Sequence, residues 1–65
     1  MADADLDAVG REFAELTSLF EDAALIASDG QGIKSLDGGR RQFRCISIMM
    51  HRIRRRLLIL EGRLQ

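Results

Sequence analysis

The stretch that decides the fold is FRCISIMMHRIRRRLLILEGRL, residues 43–64. Its apolar residues recur at alternating spacings of three and four, which is the repeat of one side of an α-helix. A β-strand repeats every two residues and would send these side chains to both of its faces. The chain also contains no proline that would interrupt a helix. The stretch therefore predicts a long amphipathic helix whose apolar seam is Phe43, Ile46, Met50, Ile53, Leu57, Leu60 and Leu64.

The first half of the chain shows the same spacing and predicts a second helix. Its apolar seam is Leu6, Val9, Phe13, Leu16, Phe20, Ala23 and Ala27. Between the two patterns lies DGQGIKSLDGG, residues 29–39, whose glycines and polar residues are typical of a loop. We expect Gly30 to stop the first helix from the C′ position, and Ser35 or Asp37 to cap the second.

These signals predict a single domain over residues 1–65. Its expected elements are a helix over about 3–29, a loop over about 30–38 and a helix over about 39–64. The predicted fold class is all-α, an antiparallel two-helix hairpin.

Antiparallel pairing of the two seams gives a register in which every layer is apolar. In this register Leu16 lies opposite Met50. The flanking positions then fall opposite each other as Asp5 with Arg63, Glu12 with Arg56, Leu19 with Met49 and Ile26 with Gln42. Exposed ion pairs contribute only about 0–1 kcal/mol each, so the charged pairs select the orientation more than they stabilise it.

A hairpin of this size needs further stabilisation. A chain of about 60 residues buries only about 60% of the surface that its unfolded form exposes. The single cysteine, Cys45, excludes an intramolecular disulfide, and each seam of an isolated hairpin keeps one side in water. We therefore expect a homodimer that forms a four-helix bundle, or a helical protein partner. The expected hairpin and dimer seam includes Phe13, Leu16, Phe20, Ile46, Met50, Ile53 and Leu57, and a column of small residues, Gly10, Thr17 and Ala24, is expected to border the dimer surface.

Surplus apolar residues on the second helix indicate a docking surface. Several lie well away from the seam and would form an exposed apolar patch in a monomer. Together with neighbouring arginines they give the predicted partner-binding residues: Cys45, Ile48, Arg52, Arg55, Leu58 and Ile59. The leading hypothesis is a small helical adaptor or regulatory protein that acts by docking another protein.

The charge distribution supports a second hypothesis. Residues 1–29 carry eight acidic residues and one arginine, for a net charge of −7, whereas residues 30–65 carry nine basic and two acidic residues, for +7. Arg44, Arg52 and Arg55 are expected to point outward and could bind phosphates. In layout the chain also resembles the Rop-type RNA-binding hairpins, which are short helix-loop-helix chains that dimerise. That resemblance implies an RNA-binding alternative, and a structural subunit of a larger assembly is a third hypothesis.

Candidate chemistry is sparse. His51 lacks a carboxylate nearby in sequence that would orient it, and Cys45 lies six residues from this single histidine, which is not a spacing for helical metal ligands. The loop sequence GQGIKS departs from the phosphate-binding pattern, because that pattern needs a glycine before its lysine and a strand before its loop. We therefore expect no enzyme activity, cofactor, metal or small-molecule substrate.

The sequence also predicts a cytoplasmic location. The first ten residues, MADADLDAVG, are acidic, whereas targeting segments are basic. The longest uncharged stretch of the second half, Cys45 to Met50, is far shorter than the roughly 20 residues of a membrane span. Nearly all basic residues are arginine, which is typical of a GC-rich bacterial genome.

Overall fold

The protein folds as a helical hairpin. The computed structural model describes residues 2–65, with side chains from Asp5 onward. Helix α1 (Ala2–Gly30) and helix α2 (Leu36–Leu64) pack against each other along a body of 53 × 15 × 9 Å. No strand occurs in this part of the chain. The all-α, two-helix prediction is therefore confirmed.

The connection between the helices differs from the expectation at both ends. Gly30 is the last residue of α1, and no glycine among the described residues has a positive φ, so the expected left-handed C′ position is wrong. The chain leaves α1 through turn bonds, such as Gln31 N–H to the Ser28 carbonyl at 3.1 Å. Helix α2 begins at Leu36, three residues before the expected start, because the Ser35 side chain accepts a hydrogen bond from Gly38 N–H at 3.0 Å.

Two glycines allow the loop and the helices to approach closely. A Cβ atom on Gly39 would lie 2.9 Å from Ile33 Cδ1, so the loop isoleucine packs directly on the first turn of α2. A Cβ atom on Gly30 would lie 3.3 Å from Gln42 Cγ. The glycines therefore let the hairpin close tightly at its loop end.

The core is a narrow stripe between the two helices. Its buried apolar members are Leu16, Ala23, Met49, Ile53 and Leu60, with Val9, Leu19, Ile26 and Ile46 packed partly against them. Glu12 is also buried in this stripe, at 7% exposure. Helix α1 thus meets α2 along the columns 9, 16, 23 and 12, 19, 26, which are adjacent on a helix.

This stripe is rotated from the predicted seam. Six residues of the predicted seam do lie in or against the buried stripe: Val9, Leu16, Ala23, Ile46, Ile53 and Leu60. Four others that border them do not. Phe13 and Phe20 are each 52% exposed, Met50 is 45% exposed and Leu57 is 48% exposed. The structure therefore does not place Met50 opposite Leu16 inside the hairpin. A role for these four residues in a dimer seam stays a prediction.

The predicted register is confirmed at two flanking pairs. Arg56 Nη1 donates to Glu12 Oε1 at 3.2 Å, and Gln42 Nε2 donates to the Ile26 carbonyl at 2.9 Å. Arg63 contacts Glu12 and not Asp5, the expected partner. Its Nε lies 3.8 Å from Glu12 Oε2. Glu12 therefore receives two arginines, which explains how a carboxylate is tolerated in the stripe.

Candidate partner-binding surfaces

The hairpin has two sides that differ in chemistry. The contacts of Glu12 with Arg56 and of Ile26 with Gln42 fix one side of the buried stripe. In an antiparallel pair, the columns on the other flank of the stripe must then both lie on the opposite side. One side carries a cleft lined by arginines, and the other carries the exposed phenylalanines.

We name the first surface the arginine cleft. It encloses about 240 Å³ between α1 and α2 and is lined by Glu15, Leu19, Arg52, Arg55, Arg56 and Ile59. The helical spacing brings these residues together, because the three arginines and Ile59 lie within two turns of α2. Leu19 and Ile59 contribute apolar side chains to this lining, Glu15 contributes a carboxylate and the three arginines contribute guanidinium groups.

The charges of the cleft are only partly compensated. Arg56 is held by Glu12, whose side chain is only 10% exposed. Within the described part of the chain, Arg52 and Arg55 form no ion pair. These two guanidinium groups therefore keep their hydrogen-bond donors for a carboxylate or a phosphate of another molecule.

The structure gathers half of the predicted partner-binding residues. Arg52, Arg55 and Ile59 line the cleft, whereas Cys45, Ile48 and Leu58 do not. Ile48 and Leu58 are more than half exposed, and Cys45 is exposed and free. Arg44, the third predicted nucleic-acid contact, is exposed and also lies outside the cleft.

Sequence reasoning missed the contribution of α1 to the cleft. Glu15 and Leu19 face Arg52 and Arg55 across the hairpin, and Arg56 serves both the cleft and the stripe. The predicted pairs of Glu12 with Arg56 and of Leu19 with Met49 could have indicated this contribution. Glu12 and Leu19 lie on one flank of α1, and Glu15 lies about one turn from Glu12 on that flank.

We name the second surface the phenylalanine face. Seven large apolar side chains follow one column of each helix and are between 45% and 70% exposed: Leu6, Phe13, Phe20, Phe43, Met50, Leu57 and Leu64. A groove of about 360 Å³ on the α2 part of this side is lined by Met50, His51, Ile53, Arg54 and Leu57. This face is more apolar than the arginine cleft and contains all three phenylalanines of the chain.

A metal-ligand cluster and a membrane-spanning helix are both absent from residues 2–65. No group of three or more His, Cys, Asp or Glu side chains is placed to hold a metal ion there. Neither α1 nor α2 has an apolar run that is long enough to cross a membrane.

Comparison with known proteins adds no relative to this geometry. The chain matches no protein-family model, and the searches of curated proteins and of solved structures give no significant match.

Proposed function

We propose that this protein is a small, non-enzymatic helical adaptor that acts by docking another protein at the arginine cleft. The observation that carries the proposal is that two apolar side chains, Leu19 and Ile59, line one cleft with Arg52 and Arg55. These two arginines are without ion pairs in the described chain. An amphipathic helix that carries acidic residues beside an apolar stripe has the matching chemistry. The lone cysteine favours a reducing, cytoplasmic setting.

Two exposed apolar side chains of α2 that lie outside the cleft would extend the docking surface. Ile48 and Leu58 lie on the same helix and are more than half exposed. Protein interfaces combine a desolvated apolar centre with arginine anchors and a polar rim. The cleft and these two residues supply each of those parts, whereas none of them supplies a nucleophile with a base.

A charge-reversal pair and a matched control test this proposal. Arg52→Glu with Arg55→Glu changes two residues of the cleft, and Arg41→Glu with Arg44→Glu makes the same change at the same spacing outside it. We expect quantitative co-purification to identify proteins that bind the wild-type chain and the control pair but lose at least about tenfold in affinity for the cleft pair. Equal binding by both variants would contradict docking at the cleft.

RNA binding is the second candidate, and Arg52 and Arg55 of the cleft favour it as well. The phenylalanines are exposed and not buried in the hairpin as expected, but they lie on the opposite side from the cleft, so they cannot stack bases bound there. Fluorescence anisotropy with mixed RNA at about 50 mM salt tests this function. Binding that weakens steeply with salt, and that both arginine pairs reduce, would favour RNA over a protein partner.

We also propose that the working form is a homodimeric four-helix bundle. Seven exposed large apolar side chains support it, because monomeric soluble proteins rarely expose a contiguous apolar patch above a few hundred Å². A second copy of the chain would cover the phenylalanine face and leave both arginine cleft surfaces outward. The chain would then be a bivalent adaptor, with one cleft in each copy.

A further inference from the structure

We infer that two copies of the chain pack through the phenylalanine face with both loops at the same end, so that α1 of each copy lies against α2 of the other. This inference rests on the proposed homodimer and names its face and its orientation. Two observations carry it: the area of the face and the opposite charges of the two helices.

The area of the face is what a stable dimer needs. The exposed parts of its seven side chains amount to roughly 700 Å² of apolar surface, given 150–250 Å² for a whole aromatic side chain. Each partner in a protein interface of standard size contributes about 800 Å². One twofold operation buries this surface on both copies at once, because a twofold interface uses the same patch twice.

Small residues beside the face permit close packing. Gly10, Thr17 and Ala24 form the column of α1 that borders the phenylalanines, and Ser47 borders Met50 on α2. A Cβ atom on Gly10 would meet nothing within 4 Å, so this border is open in the single chain. Helices that meet along small residues approach to the short end of the usual 8–10 Å interaxial range.

The charges of the helices select between the two possible orientations. Helix α1 carries eight carboxylates and one arginine, a net charge of −7, and helix α2 carries eight arginines and two carboxylates, a net charge of +6. A twofold axis parallel to the helices places α1 against α2 of the second copy, with the loops at the same end. A twofold axis perpendicular to them places α1 against α1 and α2 against α2, with the loops at opposite ends.

The first orientation brings opposite charges together, and the second brings like charges together. Interhelical distances of 8–10 Å are within about one Debye length at physiological salt, so this difference acts across the interface. Charges on flanking positions are known to set partner choice and orientation in helical bundles more than stability.

Pulsed electron–electron double resonance between spin labels on the two copies measures the orientation. One label is placed at Lys34→Cys in the loop and, in a separate protein, at Gly62→Cys near the other end, both in a Cys45→Ser background. Same-end packing predicts label separations of about 20–35 Å at both sites, given interaxial distances of 8–10 Å. Opposite-end packing would give about the full 53 Å length of the hairpin at both sites.

Solution molar mass separates failure of the orientation from failure of the dimer. Light scattering is expected to give twice the 7.3 kDa of the single chain. Twice that mass with long label distances would overturn the orientation and leave the homodimer standing. A mass of one chain would overturn the homodimer and this inference together, while the docking proposal for the arginine cleft keeps its own test.

A pair of variants tests whether the phenylalanine face is the contact. Phe13→Glu with Phe20→Glu is expected to halve the molar mass, whereas Leu25→Glu, which changes a 65% exposed residue away from the face, is expected to leave it unchanged. Circular dichroism checks that the variants stay helical. Unchanged mass for the double variant would overturn the inference, and the label distances on the unmodified face decide it if that variant does not fold.

Discussion

The two sides of the buried stripe differ in which side chains they bury, although the same two helices form both. On the side of the arginine cleft, a carboxylate is buried: Glu12 is 7% exposed and is held by Arg56 and Arg63. On the side of the phenylalanine face, one residue further along α1, Phe13 is 52% exposed. A hairpin has only one interface, and it can bury only one pair of adjacent columns on each helix. The apolar column left outside then points to a second molecule.

The largest expected effect comes from the stripe that both sides share. Ile53→Ala should lower the free energy of unfolding by about 2–4 kcal/mol, because it leaves a cavity at a 5% exposed position. Urea denaturation followed by circular dichroism measures this change. Leu58→Ala, at a 58% exposed position, is the matched control and should change stability by less than about 0.5 kcal/mol. Equal losses for the two variants would show that the stripe is misplaced.

The second prediction removes one residue of the phenylalanine face. Phe20→Ser should lower the apparent stability by about 1.5–3 kcal/mol, although its side chain is half exposed in the single chain. Because association favours the folded state at higher concentration, the melting temperature of the wild type should rise with protein concentration and that of the variant should rise less. Melting curves over a hundredfold concentration range test this. A wild-type melting temperature that is independent of concentration would count against a dimer.

The third prediction removes the buried carboxylate on the cleft side of the stripe. Glu12→Gln should cost about 1–2 kcal/mol, because it removes the carboxylate that Arg56 and Arg63 share, while both arginines can still reach water. Glu15→Gln, at an exposed carboxylate beside the cleft, should cost less than about 0.5 kcal/mol. A double-mutant cycle with Arg56→Met should show a coupling energy of about 1 kcal/mol. Additive effects would mean that the ion pair does not form.

The smallest expected effect compares two glycines. A Cβ atom on Gly10 or on Gly62 would meet nothing within 4 Å in the single chain, so the local effect of a substitution should be the same. Gly62→Gln should raise the free energy of unfolding by about 0.5 kcal/mol through helix propensity. Gly10→Gln should raise the free energy of unfolding by less, because Gly10 borders the phenylalanine face and the longer side chain would lie between the copies. Equal gains would indicate that this border is free in solution.

Much of the fold could be predicted from the sequence. The three-and-four spacing predicts both helices, the seryl side chain of Ser35 caps α2, and the charged pair of Glu12 with Arg56 sets the register. The rotation of the helices about their axes could not be predicted in this way. The columns that contain Phe13 and Glu12 both border Leu16, and the spacing favours the more apolar column. In the hairpin, Leu19 and Ile26 share the other column of α1 with Glu12, and Met49 of α2 is buried in the same stripe. The two arginines offset the burial of Glu12.

The candidate site was predicted less completely. Arg52, Arg55 and Ile59 could be predicted from α2 alone, because surplus apolar residues off the seam beside arginines indicate a docking surface. Glu15 and Leu19 of α1 can be assigned to the same cleft only when the rotation of the helices about their axes is known. A surface formed by two helices depends on their packing, and one helical pattern by itself does not contain that information.

The central claim is that a second copy covers the phenylalanine face in solution, and the aromatic proton spectrum tests it most directly. The chain contains three phenylalanines, no tyrosine or tryptophan and one histidine, so this region reports the three rings of the face together with exposed His51. A soluble paramagnetic gadolinium chelate is added, and the proton relaxation rates are followed. We expect the phenylalanine signals of the wild type to be relaxed several-fold less than the Phe43 signal of the Phe13→Glu, Phe20→Glu variant, in which the face stays open. Equal relaxation of the phenylalanine signals in the two proteins would contradict the claim.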